Sequence, residues 1–308
     1  MMTKIYSSAV VGLDAVPVEV EVDIAAQGLP SFTIVGLPDK AVEEAKERVR
    51  AAIRNSGADF PARKITINLA PADLPKEGPS YDLPIALGIL IASGQLQVDV
   101  SKFLFSGELS LDGRVRTING ALIQALMAKK HGLKQFFLPI ENAKEAAVVE
   151  EVDILSVPSL KALFFHLSNQ TPLEKTLPIN FSEVIHENVY EYDMKDIRGQ
   201  QQAKRALEIA AAGSHNMLFK GPPGAGKTLL ARTLPSILPR LSFDEMIEVT
   251  KIYSISGLLG KDAVVKKRPF RSPHHTISLV GLIGGGSNPR PGEITLAHRG
   301  VLFLDEFP

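Results

Sequence analysis

Eight consecutive residues, Gly221-Pro222-Pro223-Gly224-Ala225-Gly226-Lys227-Thr228, constrain this chain more than any other stretch. They fit a phosphate-cradling pattern in which glycines let successive backbone N–H groups turn inward, and the N-terminus of the following helix adds its positive end. The apolar run Met217-Leu218-Phe219 before them and Leu229-Leu230-Ala231-Arg232 after them read as strand and helix, the context such a loop requires. Gly221, Gly224 and Gly226 are read as allowing positive φ and close backbone approach. Lys227 can reach β and γ phosphates, and the Thr228 hydroxyl can ligate magnesium. A second half follows in Val301-Leu302-Phe303-Leu304-Asp305-Glu306, an apolar strand run ending in two carboxylates. Asp305 would hold the metal through water, and Glu306 would orient an attacking water. ATP and Mg2+ are therefore the expected ligands, with Lys227 and Glu306 as catalytic residues and Thr228 and Asp305 as the metal pair.

Composition narrows the rest. The 308 residues suffice for two domains, and 45% hydrophobic with 22% charged residues is ordinary for a globular chain. A formal net charge of zero gives no global field for nucleic acid or an anionic membrane, so any such contact must be local. With no cysteine, disulfides and thiolate metal sites are excluded. The start lacks a signal-peptide pattern and no apolar run approaches the roughly 18 residues needed to span a bilayer, so a cytoplasmic location and no membrane partner are expected.

Along the first half, 4–12 and 17–26 alternate like strands, the second with Val18, Val20, Val22 and Ile24 opposite Glu19, Glu21 and Asp23. That alternation suggests a half-buried sheet edge. Phe32–Gly36 adds a strand, and Asp39 is placed to cap a helix reaching Ser56 with Val42, Ala45, Val49 and Ile53 inward. Lys64–Leu69 is a further strand. It is followed by the turn-rich loop 70–80 and an apolar helix from Tyr81 to about Ser93. Further on the pattern gives a helix over 120–131, a strand over 135–138, a helix from Asn142, a strand over 153–157 and a helix over 159–168.

Pro75-Lys76-Glu77-Gly78-Pro79-Ser80 resembles the segment that carries the nucleophilic serine of the Lon protease domain. Ser106–Val115 resembles that domain's next strand pair, and Leu138–Asn142 the strand and helix start after it. The resemblance implies a Lon-like α+β fold over 1–168. A serine nucleophile needs a lysine close enough to take its proton, and the alignment of motifs puts Leu122 where that lysine belongs. Lys129 and Lys130 lie about two helical turns on. The domain is therefore expected to be proteolytically inactive, with Ser80 serving as a helix N-cap.

Residues 169–190 lose periodicity and collect prolines, which reads as a linker. Beyond it, Ile197-Arg198-Gly199-Gln200 resembles the segment that lies against adenine in AAA+ ATPases, implying base contact by Ile197 and Gly199; an ordinary helix start is the alternative. The following helix, 201–212, would bury Ala203, Ala206, Leu207 and Ala210. Three further runs complete the text: Tyr253–Gly257, Lys266–Thr276 with His274 and His275, and Gly281–Ile294 with its triple glycine. Together with the two phosphate-site motifs they resemble the magnesium-chelatase-like AAA+ ATPases of the ComM/YifB family, which also place a Lon-like domain first.

That resemblance implies an α/β P-loop NTPase core over 191–308, and an ATP-driven DNA branch-migration or helicase motor working as a hexameric ring. A chelatase-type motor acting on a protein partner, and a nucleotide-dependent DNA-binding scaffold, are the rival readings. Lys266, Lys267, Arg268 and Arg271 form the one dense basic cluster and are the expected DNA contacts. The adjacent histidines lack spaced partners for a metal site, so packing is expected of them. The sequence stops two residues past Glu306, before any sensor, arginine finger or lid, so it is expected to be part of a longer protein and by itself to bind ATP yet turn it over slowly.

Overall fold

The computed structural model describes residues 2–178, 190–260, 262–286 and 289–305. By contacts the chain divides into two compact units, Met1–Ile179 with Gly260–Ala263, and Asn180–Leu259 with Val264–Pro308. Glu306, Ser287, Asn288 and most of the expected linker, 179–189, lie outside the described residues.

The first unit is built on a sheet ordered β3 (Ser31–Val35), β4 (Lys64–Ala70), β2 (Asp14–Ile24), β1 (Met2–Val11), β5 (Phe103–Phe105), β8 (Gln135–Pro139) and β9 (Asp153–Val157). The β1–β2 and β2–β4 pairs are antiparallel, and the other four neighbours are parallel. A separate short pair, β6 (Glu108–Leu109) and β7 (Val115–Arg116), falls where the Lon resemblance implies one. β2 alternates as expected, but it is no edge: β4 and β1 flank it. Its charged row marks a face left to solvent, where Lys4 bridges Glu19 and Glu21 at 2.8 and 3.3 Å. Alternation reports what covers a face, not what flanks a strand.

Helix α1 (Lys40–Asn55) starts as the sequence indicates, with Asp39 accepting from Val42 N at 2.7 Å, and it buries Val42, Ala45, Val49, Ala52 and Ile53. It packs with α2 (Asp82–Ala92) and α5 (Leu160–Leu167) against the apolar row of β2. α3 (Ala121–Lys130) and α4 (Ile140–Ala146) cover part of the opposite face, away from the charged row: Gly88 of α2 lies against Val22 and Ile5, while Gly120 before α3 lies against Val10, whose parity on β1 is opposite to that of Ile5. α2 is apolar all round because it is walled in all round, with ten of its eleven residues buried.

A charged pair reaches into that core. Asp82 is fully buried and takes Arg48 Nε at 2.7 Å, Arg48 guanidinium NH2 at 3.0 Å and the Leu109 N–H at 3.1 Å. Burial pushes its carboxyl up to about 6, although all three donors pull the other way.

After α5 the chain does not leave the sheet at once. Thr176 N donates to Ile154 O at 2.8 Å and Lys175 pairs with Asp153 at 2.6 Å, so the first residues of the expected linker hug β9. Prolines there shape an edge-hugging segment rather than a free tether.

The second unit contains α6 (Gln201–Gly213), α7 (Lys227–Ile237), α8 (Phe243–Ile255), α9 (Leu279–Ile283) and α10 (Glu293–Leu296). Among its described residues the strands are the parallel pair β10 (Phe270–Arg271) with β13 (Val301–Leu302), and the hairpin β11 (Gly284–Gly285) with β12 (Arg290–Pro291). α6 buries Leu207, Ala210 and Ala211, but Ala206 faces solvent and Ala203 is half-buried, a narrower stripe than the sequence suggests. No described helix is long and apolar enough to cross a membrane.

Candidate nucleotide-binding site

Lys227 is the first residue of α7, and the turn before it is held by Gly224 at φ +77° and Gly226 at φ +81°. A Cβ at either would meet nothing within 4 Å, so glycine is needed there for its dihedral, and the space above the turn is open. Gly221 is not at positive φ, contrary to expectation. Pro222 already fixes the chain beyond it, and the reversal is made by the later two glycines. Lys227 Nζ donates to the carbonyls of Gly221 and Pro222 at 2.9 and 3.0 Å, and Ala225 N donates to Pro222 O at 3.3 Å, so the side chain lies across its own loop.

A small apolar cluster mounts this loop. Met194, Leu207 and Leu230 are its buried centre, with Ile197, Ala203, Met217 and Phe219 packed around them. The residues before the loop, its helix and the Ile197 segment thus share one core. Met217-Leu218-Phe219 pairs with no strand among the described residues, contrary to the expected strand. Its burial still alternates, Met217 and Phe219 half in and Leu218 82% exposed, the habit of an extended segment whose ladder partner is wanting. Ile197 O accepts from Lys204 Nζ, and Gly199 follows at φ +67°, exposed.

The acidic motif meets the loop where Thr228 Oγ1 donates to Asp305 Oδ2 at 3.3 Å across 77 residues. β13 is two residues long and half-buried rather than the longer buried strand expected. It is registered against β10 by Val301 N to Pro269 O and Phe303 N to Arg271 O, both 2.8 Å, with the Phe270 and Phe303 rings stacked 6.1 Å apart. Gly300 makes that approach possible, since a Cβ there would lie 2.1 Å from the Pro269 carbonyl oxygen.

Two of the four expected DNA contacts prove to be internal pins. Arg268 donates to the carbonyls of Pro239 at 2.5 Å and Arg299 at 2.7 Å and pairs with Glu245 at 3.1 Å. Glu245 also closes a capping box with Ser242 at the start of α8 and meets Arg299 at 3.4 Å. Arg271 makes a two-pronged pair with Glu293, both contacts 2.6 Å. Their carboxylates lie 22 and 23 residues away, out of reach of a charge-run reading. Lys266 and Lys267 remain exposed. The His274 and His275 rings sit 4.1 Å apart, with His274 Nδ1 also 2.8 Å from Thr276 Oγ1; no group of three or more potential metal-ligating residues occurs among the described residues.

The serine loop of the first unit is stitched down. Lys76 N donates to Leu37 O at 3.1 Å, Asp39 N to Lys76 O at 3.0 Å and Gly78 N to Asp39 Oδ2 at 3.0 Å. The Lys76 side chain, whose local sequence carries no sign of burial, is wholly buried with its ammonium on the Pro71 carbonyl, and burial lowers its pKa. Ser80 is no N-cap. It sits inside a single 3₁₀ turn, Pro79–Tyr81, whose cap is Gly78, and its carbonyl accepts from Gly107 N at 2.9 Å. The proline at the first position of that turn starts the helix early, so the serine arrives two residues too late to cap it. Leu122 is buried in the first turn of α3, where its N–H donates to Glu145 at 2.8 Å.

Comparison with known proteins fits this geometry. The family described as "Magnesium chelatase, subunit ChlI" matches residues 193–308, and that described as "Subunit ChlI of Mg-chelatase" matches 20–142. The chain is 46% identical to the uncharacterized protein YifB of Escherichia coli K12 over 308 residues, covering 100% of this chain and 60% of that one. It is 45% identical to the competence protein ComM of Haemophilus influenzae, covering 99% of this chain and 60% of that one. Lon protease 2 of Bacillus subtilis is 28% identical over 158 residues, 46% of this chain and 28% of the protease. The chain thus spans about three-fifths of the length of the YifB and ComM relatives.

Proposed function

Because this chain belongs to the magnesium-chelatase-like family that includes ComM and YifB, an AAA+ ATPase family, we propose that its second unit binds ATP with Mg2+ and that the whole protein uses that ATP to move branched DNA during recombination. The observation that carries the nucleotide reading is the Thr228 to Asp305 contact, which sets a hydroxyl and a carboxylate 3.3 Å apart at the mouth of the glycine loop. Two hard oxygens beside an open, glycine-lined turn suit magnesium and a polyphosphate.

In this reading the backbone from Gly221 to Thr228, including Pro222, Pro223 and Ala225, surrounds the phosphates. The Lys227 ammonium exchanges the Gly221 and Pro222 carbonyls for phosphate oxygens, a stronger charge-assisted bond. Thr228 and Asp305 hold the ion, Asp305 through water. Magnesium, when bound, neutralises charge developing on the transferred phosphoryl group. Glu306, next in sequence to Asp305, orients the attacking water, and Ile197 and Gly199 contact the base.

The DNA step rests on likeness to the ComM/YifB family, with support from exposed Lys266 and Lys267 beside β10 and from the exposed glycine hairpin β11–β12 carrying Arg290. A hexameric ring, with that hairpin toward its pore, is the assembly proposed. The matched family names also favour a second reading, a chelatase-type motor on a protein partner. Filter binding to a four-way DNA junction, with and without ATP and across salt, separates them: junction binding that strengthens with ATP and weakens steeply with salt supports the DNA motor. Salt-insensitive or undetectable binding favours the chelatase-type reading.

A further inference from the structure

The second unit holds a cleft of about 340 Å³ away from the glycine loop, lined chiefly by Tyr190, Tyr192, Arg232, Lys267, Phe270 and Ser272. Its two tyrosines are two residues apart, and each lies under a cation. The Arg232 guanidinium sits 5.2 Å from the Tyr192 ring centre and donates to its hydroxyl at 3.0 Å, and the Lys267 ammonium sits 5.5 Å from the Tyr190 ring centre. Three cations line the wall, Arg232, Lys267 and Arg268, the last also paired with Glu245, beside the carboxylate of Glu191.

We propose that this cleft is a subsite for single-stranded DNA, one base stacking against the tyrosine rings and its phosphate meeting Arg232 and Lys267. The inference rests on the DNA reading above and names the contact that reading lacks. Flat rings supply sequence-tolerant stacking, and the flanking cations supply the backbone contact, the pairing that single-strand sites use. The cleft has the volume of a small ligand site. Its cations come from long side chains rather than from a turn of backbone N–H groups, which suits a chain passing by better than the terminal phosphates of a mononucleotide. Exposed Lys266 continues the positive track. Tyr192 also lies along the phosphate-loop helix, since its hydroxyl accepts from Arg232, four residues after Thr228, so the strand would be felt about one helical turn from Thr228.

The test uses the whole chain and fluorescence anisotropy with a labelled thymidine 20-mer, a duplex of equal length and a fluorescent ATP analogue. The double variant Tyr190→Leu with Tyr192→Leu should weaken single-strand binding about tenfold or more, as expected for lost base stacking, while leaving ATP-analogue binding at wild-type strength. The double variant Tyr190→Phe with Tyr192→Phe keeps the rings and should retain most of the affinity. Lys267→Ala should flatten the salt dependence by about 0.7 in log–log slope, the share of one single-strand phosphate. Wild-type single-strand binding by the leucine variant overturns the site alone, as does a phenylalanine variant that loses as much as the leucine one. ATP-analogue binding that survives Lys227→Ala but is lost with the leucine pair would make the cleft a mononucleotide site and overturn the strand. A wild-type chain that binds no DNA at all sinks both this site and the DNA reading beneath it.

Discussion

Two loops in this molecule share one sequence grammar and have opposite fates. Each has an apolar run, then proline and glycine, then a lysine or serine, then a helix. In the second unit the loop at Gly221–Thr228 stands in solvent, its lysine held only by carbonyls of its own turn. In the first, the loop at Pro71–Ser80 is tied to the turn before α1 by three hydrogen bonds, and its lysine is wholly buried. A loop works on a ligand when its polar groups are left to be exchanged. Groups already spent inside the fold make it part of the scaffold. The contrast supports a first unit that keeps the Lon-like frame without its chemistry.

The largest effect should come from the first unit's buried pair. Arg48→Met leaves Asp82 buried without its partner and should cost about 3–5 kcal/mol at neutral pH, read by urea unfolding. The Asp82 carboxyl is raised to about 6 against 3.8 unfolded, so between those values the folded state binds the proton more tightly. Its contribution to stability is therefore greatest below pH 3.8 and falls as pH rises through about 6. The Arg48→Met penalty should accordingly be smaller at pH 5 than at pH 7.5. A penalty equal at both would mean that Asp82 is not the group left uncompensated.

Lys227→Ala should weaken binding of a fluorescent ATP analogue on the order of a hundredfold, since a charged hydrogen bond to phosphate is worth about 1.5–3 kcal/mol and Lys227 offers more than one. Unfolding should be unchanged. The comparison breaks if this variant loses stability instead of affinity.

Its counterpart, Lys76→Met, keeps the buried volume while removing the bond to Pro71. It should shift stability by less than about 1.5 kcal/mol, whereas Lys76→Ala, which opens a cavity, should cost about 2–4. Neither should alter nucleotide binding. Smallest of all is Ser80→Ala: casein or peptide cleavage should be undetectable before and after the change. Cleavage present in the parent chain and lost in the variant would restore the serine loop to catalysis.

What the sequence disclosed was whatever is carried by spacing within one segment. The eight-residue phosphate loop has fixed offsets, α1 has a complete apolar stripe with a capping aspartate, and β9 and α5 are bounded by their own residues. Most of the missed features join distant segments. β5 is three residues, Phe103-Leu104-Phe105, too short for a period and defined only by parallel neighbours on both sides. Arg48 and Asp82 are 34 residues apart, and nothing local marks either as buried. Arg268 and Arg271 look solvated until Glu245 and Glu293 fold back on them. Lys76 is the sharpest case, because a lysine between proline and glutamate in a turn-rich loop carries every sign of exposure.

Gly300 touches no expected ligand, yet it puts the acidic motif under a peculiar kind of guard. Every amino acid reachable from glycine by one base change carries a Cβ, and that atom would occupy the place of the Pro269 carbonyl oxygen, 2.1 Å away. The two strands would have to slide apart, carrying Asp305 from its 3.3 Å contact with Thr228. A deep mutational scan selected for ATP use should therefore find this position almost as intolerant as Lys227, a bare backbone carbon policing the proposed metal pair from five residues away.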